Sequence, residues 1–346
     1  MAVLAIVTSS PPDVEGGHLV IARSLVKAAH DEGHDARLVV TPDFGFGRTW
    51  STYQANRRTD VRSLDGRSVD QVISLRYPSF AVRHPAHVCW LNHTMREYYD
   101  LWSEFSATIS WRNRVKENVR KSLVRSADWW LLRYNVTAVV AQSSTIQRRL
   151  RHDLGVRADV LRPPAPQRRY RCDGYGDYVF AVSRMTPHKR LDLLVRALAE
   201  PTARGVKAVI AGDGECLTRF QTLGRELGVA DRITWLGRAD EATALTHLAR
   251  CRAVCFPPVA EDYGFVTVEA FSSSKAVVTC TDSGGPTELV KDGETGFVCN
   301  PTPASIAAAL VRLTDDPALA ERLGTRGLAT AAAMTWSDAV RRLVIV

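Results

Sequence analysis

The feature that most constrains this chain is an alternation of short apolar runs with 3.6-periodic segments, written twice around a proline-rich break. Residues 3–7 (Val3-Leu4-Ala5-Ile6-Val7) form an apolar run, followed by the turn-forming Ser9-Ser10-Pro11-Pro12-Asp13 and a glycine pair. Leu19, Ala22, Leu25, Val26 and Ala29 then recur at three- and four-residue steps until Gly33, and 36–40 is extended again. Strand, helix, strand in that order is a βαβ unit, which implies a parallel sheet. The same grammar predicts strands over 69–75, 88–91 and 138–141 and a helix over 144–154.

Leu161-Arg162-Pro163-Pro164-Ala165-Pro166 ends this first series, and a polar stretch with arginines and glycines runs on to Asp177. A second series begins at 178–182. Helix 191–199, strand 207–212, a helix through Leu223 and Leu227, strand 233–236, helix 242–249, strand 253–256, a helix from about 265 and strand 276–279 follow. The expectation is an α/β protein of two doubly wound domains, 1–165 and 166–334, with a last helix in 335–346 crossing back to the first. Ligands of open α/β sheets bind outside the carboxyl ends of the strands, so two such domains are expected to face one another across a cleft that holds the substrates.

With 346 residues and 45% hydrophobic content, the chain can build two cores. It has no apolar run of 18 residues, and its start enters a strand without a basic leader, which reads as a cytoplasmic protein. Seven scattered cysteines (Cys89, Cys172, Cys216, Cys251, Cys255, Cys280 and Cys299) without a C-x-x-C pair suggest buried free thiols, not a disulfide framework or a zinc site. The net charge of +8 points to an anionic partner: nucleic acid, a membrane surface or a phosphorylated substrate.

The most specific motif is Glu261-Asp262-Tyr263-Gly264-Phe265-Val266-Thr267-Val268-Glu269, two glutamates with seven residues between them at a strand-loop-helix junction. Gly264 lets the backbone approach a ligand, and the amides of Phe265 and Val266 at the helix start offer free N–H groups to a diphosphate. A surface helix with two unrelated acids is the plainer reading of such a spacing. Here the motif is followed by Ser283-Gly284-Gly285-Pro286-Thr287-Glu288 and by Gly293-Glu294-Thr295-Gly296-Phe297. It is preceded by Ser183-Arg184-Met185-Thr186-Pro187-His188-Lys189-Arg190, by Gly212-Asp213-Gly214-Glu215 and by Gly237-Arg238.

This ordered series resembles the retaining glycosyltransferases of family 4, the glycosyl transferases group 1, whose GT-B fold pairs two Rossmann-like domains. The resemblance is strongest over 178–298. It implies that Arg184 and Lys189 neutralise a diphosphate leaving group, that Glu261 contacts the donor sugar and Glu269 the ribose, and that Gly212 and Arg238 belong to the donor side. Ser183 and Arg190 depart from the pattern, standing where glycine is more usual. In the first domain it implies that Gly16 and Gly17 present backbone amides to the donor phosphate, and that His93, after the strand at 88–91, lies beside the sugar. A solvated Arg-Lys pair, ordinary turn glycines and a structural histidine are the corresponding plain readings.

Trp50, Tyr98 and Tyr99 are candidate acceptor-lining aromatics, with core packing the alternative. The basic and aromatic stretch 111–125, with Trp111, Arg112, Arg114, Lys116, Arg120, Lys121 and Arg125, suggests peripheral contact with an anionic membrane surface or a phosphorylated acceptor, against a solvated helix face. No nucleic-acid module surrounds it, so nucleic acid is set aside.

The resemblance thus implies a retaining, metal-independent transfer of a sugar from a UDP- or GDP-linked donor to a hydroxyl acceptor, with no resident cofactor. Two alternatives are a nucleotide-sugar 2-epimerase, which would turn over donor without acceptor, and a non-catalytic nucleotide-sugar binding subunit, which would bind donor and never turn it over.

Overall fold

The computed structural model describes residues 1–12 and 16–346; Asp13 and Glu15 lie outside them. The chain divides into two compact units, Met1–Pro166 with Thr335–Val346, and Gln167–Met334.

The first unit runs β1 (Val3–Ser10), α1 (Gly17–Asp31), β2 (Asp35–Pro42), α2 (Thr49–Arg58), β3 (Ser63–Leu64), β4 (Arg67–Ser68), β5 (Gln71–Ser74) and β6 (His87–Leu91). It continues through α3 (Trp102–Thr108), α4 (Trp111–Tyr134), β7 (Ala138–Ala141), α5 (Ser144–Leu154) and β8 (Asp159–Val160). Its main sheet has the order β2-β1-β5-β6-β7-β8, parallel throughout, with β3-β4 a small antiparallel ribbon. Strand β1 is buried over its whole length, which is why it reads as an unbroken apolar run: both faces of a parallel sheet are covered.

Helix α13 (Trp336–Leu343) packs in this unit, against α1. The Gln71 side chain holds it from both sides, donating to the Leu343 carbonyl at 2.7 Å and accepting from the Ile345 amide at 2.8 Å. Trp336 Nε1 donates to the Ala165 carbonyl at 2.9 Å.

The second unit runs β9 (Tyr178–Val182), α6 (Leu191–Ala199), β10 (Lys207–Ala211), α7 (Leu217–Glu226), β11 (Ile233–Gly237), α8 (Glu241–Arg250) and β12 (Ala253–Cys255). Then come α9 (Phe265–Ser272), β13 (Ala276–Cys280), α10 (Gly285–Leu289), β14 (Gly296–Cys299), α11 (Pro303–Asp315) and α12 (Pro317–Ala332). The sheet order is β11-β10-β9-β12-β13-β14, all parallel. Its core joins Leu194, Val195 and Leu198 of α6, Phe220 of α7 and Leu310 and Leu313 of α11 to the strands.

Three features differ from the sequence reading. Trp50 stands on helix α2, which the sequence reading did not place and whose Thr49, Thr52, Tyr53 and Asn56 bury one face. Tyr98 and Tyr99 are core rings, 1% and 6% exposed, whose hydroxyls are taken by Glu117 and by Asp128 at 2.7 Å; that removes both from an open acceptor surface, while Trp50 is 47% exposed. Cys172 is exposed, whereas the other six thiols are free and buried as expected.

Candidate functional site

In the second sheet the strand order reverses between β9 and β12. At such a switch point the loops after two neighbouring strands leave in opposite directions and open a crevice at the carboxyl edge. The loop after β9 carries Arg184 and Lys189, and the loop after β12 carries Glu261. Lys189 Nζ donates to Glu261 Oε2 across this point, with both side chains about one-fifth exposed. Arg184 stands exposed on the same loop.

The backbone around Glu261 is laced to the loop after β13. Its amide donates to the Ser283 carbonyl at 2.9 Å, its carbonyl accepts from the Gly285 amide at 2.8 Å, and Glu261 and Gly284 form a parallel bridge. Three residues on, Gly264 caps α9 with φ of +83°, and a Cβ there would lie 2.8 Å from Pro286. Only glycine combines that left-handed turn with that approach, so α9 starts against the Gly284-Gly285-Pro286 segment. The first amides of α9, at Phe265 and Val266, have no acceptor within the helix.

Glu269, one turn further, is held from its own unit. Its Oε1 accepts from Arg168 Nη1 at 2.6 Å and from the Tyr170 hydroxyl at 3.0 Å, and both bonds leave Oε2 for another donor. Burial pushes this carboxyl above its ordinary range, against the Arg168 charge that pulls it down. Arg168 also reaches Glu241 at 2.9 Å. Sequence reasoning missed Arg168 and Tyr170 because they lie in the polar linker about a hundred residues before Glu269.

Arg190 has φ of +48°. Its guanidinium binds both Asp282 oxygens at 2.6 and 2.8 Å, the Pro257 carbonyl at 3.0 Å and the Pro258 carbonyl at 2.7 Å. The side chain thereby ties the Lys189 loop to the loops after β12 and β13, a function glycine could not serve. Position 212 requires glycine: its φ is +135°, and a Cβ there would come within 1.8 Å of the Ser183 carbonyl. The Gly212 amide donates to the Gly237 carbonyl at 2.7 Å, and Arg238 follows, exposed, after the edge strand β11.

In the first unit the corresponding reversal lies between β1 and β5. Gly16 caps α1 and Gly17 begins it. Arg76, after β5, donates through Nη1 to the Ser9 carbonyl at 2.8 Å and through Nε to His93 Nε2 at 3.2 Å. His93 Nδ1 in turn faces the Thr94 carbonyl at 2.9 Å. With Nε2 accepting and Nδ1 donating, the imidazole carries its proton on Nδ1.

Residues 169–329, within the second unit, match the family described as Glycosyl transferases group 1. The chain is 31% identical over 210 residues to a D-inositol 3-phosphate glycosyltransferase of Nocardia farcinica, covering 54% of this chain and 46% of that protein. It spans less than half the length of the curated relatives it matches. Among solved structures it is similar to sucrose-phosphate synthase from Thermosynechococcus elongatus, with a TM-score of 0.77 at 17% identity over 98% of this chain and 96% of that one. It also resembles Anabaena HepE in complex with UDP and glucose, with a TM-score of 0.70 at 16% identity over 97% and 98%. The chain therefore has the GT-B fold of two Rossmann-like domains, and its second unit carries the match to the glycosyl transferases group 1.

Proposed function

We propose that this chain is a retaining glycosyltransferase of family 4 that moves a sugar from a nucleoside-diphosphate sugar to an acceptor hydroxyl, without a metal or resident cofactor. The observation that carries the reading is the meeting of Lys189 and Glu261 at the β9–β12 switch point, beside the free amides that open α9. Lys189, Arg184 and the Phe265 and Val266 amides form a fixed positive field for a diphosphate. Glu261 stands beside it to accept from sugar hydroxyls, Glu269 Oε2 remains for the ribose, and Gly212 and Arg238 border the nucleotide. The complex of HepE with UDP and glucose supports a uridine donor.

In the reaction the anomeric C–O bond to the diphosphate breaks as the acceptor oxygen attacks from the same face. The acceptor proton passes to the departing phosphate oxygen, and the positive field stabilises the charge that develops there. Gly16, Gly17 and His93 are the first unit's residues assigned to donor phosphate and sugar. With Nε2 taken by Arg76 and Nδ1 by the Thr94 carbonyl, His93 would meet a sugar hydroxyl only by exchanging one of those bonds for it.

Calorimetric titration with UDP, GDP and ADP tests this. One nucleotide should bind selectively, and Lys189→Ala should weaken it by roughly tenfold or more, the worth of one charge-assisted phosphate contact. Binding of none of the three would overturn the donor site. Turnover of the matching nucleotide sugar at the same rate with and without acceptor would overturn transfer.

A further inference from the structure

Helix α4 turns apolar side chains towards solvent. Trp111, Val115, Val119 and Leu123 follow at four-residue steps and are 69%, 60%, 57% and 52% exposed. At about 100° per residue they share one face with Trp129 and Trp130, which are exposed too. An ordinary surface helix shows the reverse pattern.

Its charges are sorted as sharply. The two acids of α4 point inwards: Glu117 is buried with Tyr98 and Arg120, and Asp128 with Tyr53 and Tyr99. Arg120, Arg125 and Lys121 are tied to the fold, by Glu117, by Asp153 and by the Trp102 ring. Arg112, Lys116 and Arg133 are exposed, Arg112 and Arg133 on the same face as the apolar stripe and Lys116 at its margin. No helix among the described residues is long and apolar enough to cross a membrane.

The carboxyl end of α4 is bordered by two cavities of about 760 Å³ each. One is lined by Arg133, Arg148, Arg151 and Arg157 with a single acid, Asp159. The other is lined by Arg57, Arg62, Arg83 and His84 with no acid. Burial, with the neighbouring Arg83 charge adding to it, depresses Arg57 below the ordinary guanidinium range. Between α2 and α4 lies a groove of about 300 Å³ floored by Ala81, Ala127 and Leu131 and walled by Trp50 and Trp130.

We propose that this face of α4, with the arginine-lined cavities at its end, docks the chain on an anionic lipid bilayer. The helix lies in the plane of the interface, its apolar stripe in the acyl boundary, its tryptophans at headgroup level and its arginines on lipid phosphates. The α2–α4 groove, with its volume of about 300 Å³ and its apolar floor, would take part of one acyl chain. A second copy of this chain suits the face poorly, because a two-fold contact sets Arg112, Lys116 and Arg133 against a surface of the same sign. This inference does not rest on the donor-site reading.

The test is co-sedimentation of the full chain with phosphatidylcholine vesicles, with and without phosphatidylglycerol, at low and high salt. Binding should require the anionic lipid and weaken with salt. Replacing both cations (Arg112→Gln with Lys116→Gln) should weaken it about 30-fold, at the usual worth of a basic residue near a charged membrane. Replacing the stripe (Val115→Ser, Val119→Ser and Leu123→Ser together) should abolish the blue shift of tryptophan emission on binding. Circular dichroism and nucleotide binding should stay unchanged in both variants. No binding to anionic vesicles, equal binding by the variants, or full competition by soluble glycerol phosphate would overturn the proposal. So would a purified dimer that the serine variant splits.

Discussion

Arg190 offers the sharpest check of how the donor loop is built. It sits at φ of +48°, where an L side chain costs roughly 1–2 kcal/mol over glycine. Against that cost stand two bonds to buried-side carbonyls, Pro257 and Pro258, and a fork on Asp282. The carbonyl bonds contribute about 1 kcal/mol each. The Asp282 pair, with its carboxylate 41% exposed, contributes at most about 1 kcal/mol after solvent screening. Arg190→Ala removes all of these and keeps the backbone cost, so a loss of about 2–3 kcal/mol is expected. Arg190→Gly removes the same bonds but recovers about 1 kcal/mol from the turn. The glycine variant should therefore melt some 2–4 °C above the alanine variant, and both below the parent. Because the loop also carries Lys189, nucleotide affinity should fall in both variants by a similar factor. Differential scanning calorimetry and nucleotide titration of the three proteins read these effects. If glycine and alanine melt together, the positive φ carries no strain; if either matches the parent, the guanidinium does not hold the loops.

Two further expectations follow from buried groups. Glu269→Gln should cost about 2 kcal/mol in urea unfolding, since it breaks a partly buried charge-assisted bond to Arg168; a double-mutant cycle with Arg168→Met should show coupling of at least about 1 kcal/mol, and additivity would refute the pairing. Burial pushes the Asp128 carboxyl up to about 7, while burial drives His87 down to about 4. Asp128 therefore adds stability that is lost as pH rises towards 7, and His87 adds stability that is lost as pH falls from about 6.5 through 4, so the two oppose each other in the mildly acidic range. Asp128→Asn should leave the His87 effect uncovered and make the chain lose stability more steeply on acidification; an unchanged urea midpoint against pH would rule this out.

Much of the fold was legible because the signals are local. Helices 144–154 and 191–199 were readable to the residue, since their apolar positions repeat within one or two turns, Gly155 closes the first, and Pro201 follows the cap of the second. Strands β9, β10, β12 and β13 read as apolar runs because a covered parallel sheet buries both faces. In sequence, helix α4 reads only as a basic stretch or a solvated face over 111–125, because its period is mixed: Val124, Leu131 and Leu132 face the core with the acids, while a second apolar stripe faces water. Tyr98 and Tyr99 looked like ligand aromatics, and nothing near them in sequence signals that Glu117 and Asp128 take their hydroxyls.

By itself, then, the sequence determined two βαβ series, their break near Pro166, and the loops at which glycines, cations and glutamates stand, because each depends on neighbours a few residues away. The tertiary structure decided which of those loops meet. Lys189 and Glu261 pair only because the sheet order brings β9 beside β12, Glu269 is held by a linker about a hundred residues away, and Arg190 ties its own loop to the two after β12 and β13. Strand order is set by how whole faces pack, and no local pattern in the chain encodes it.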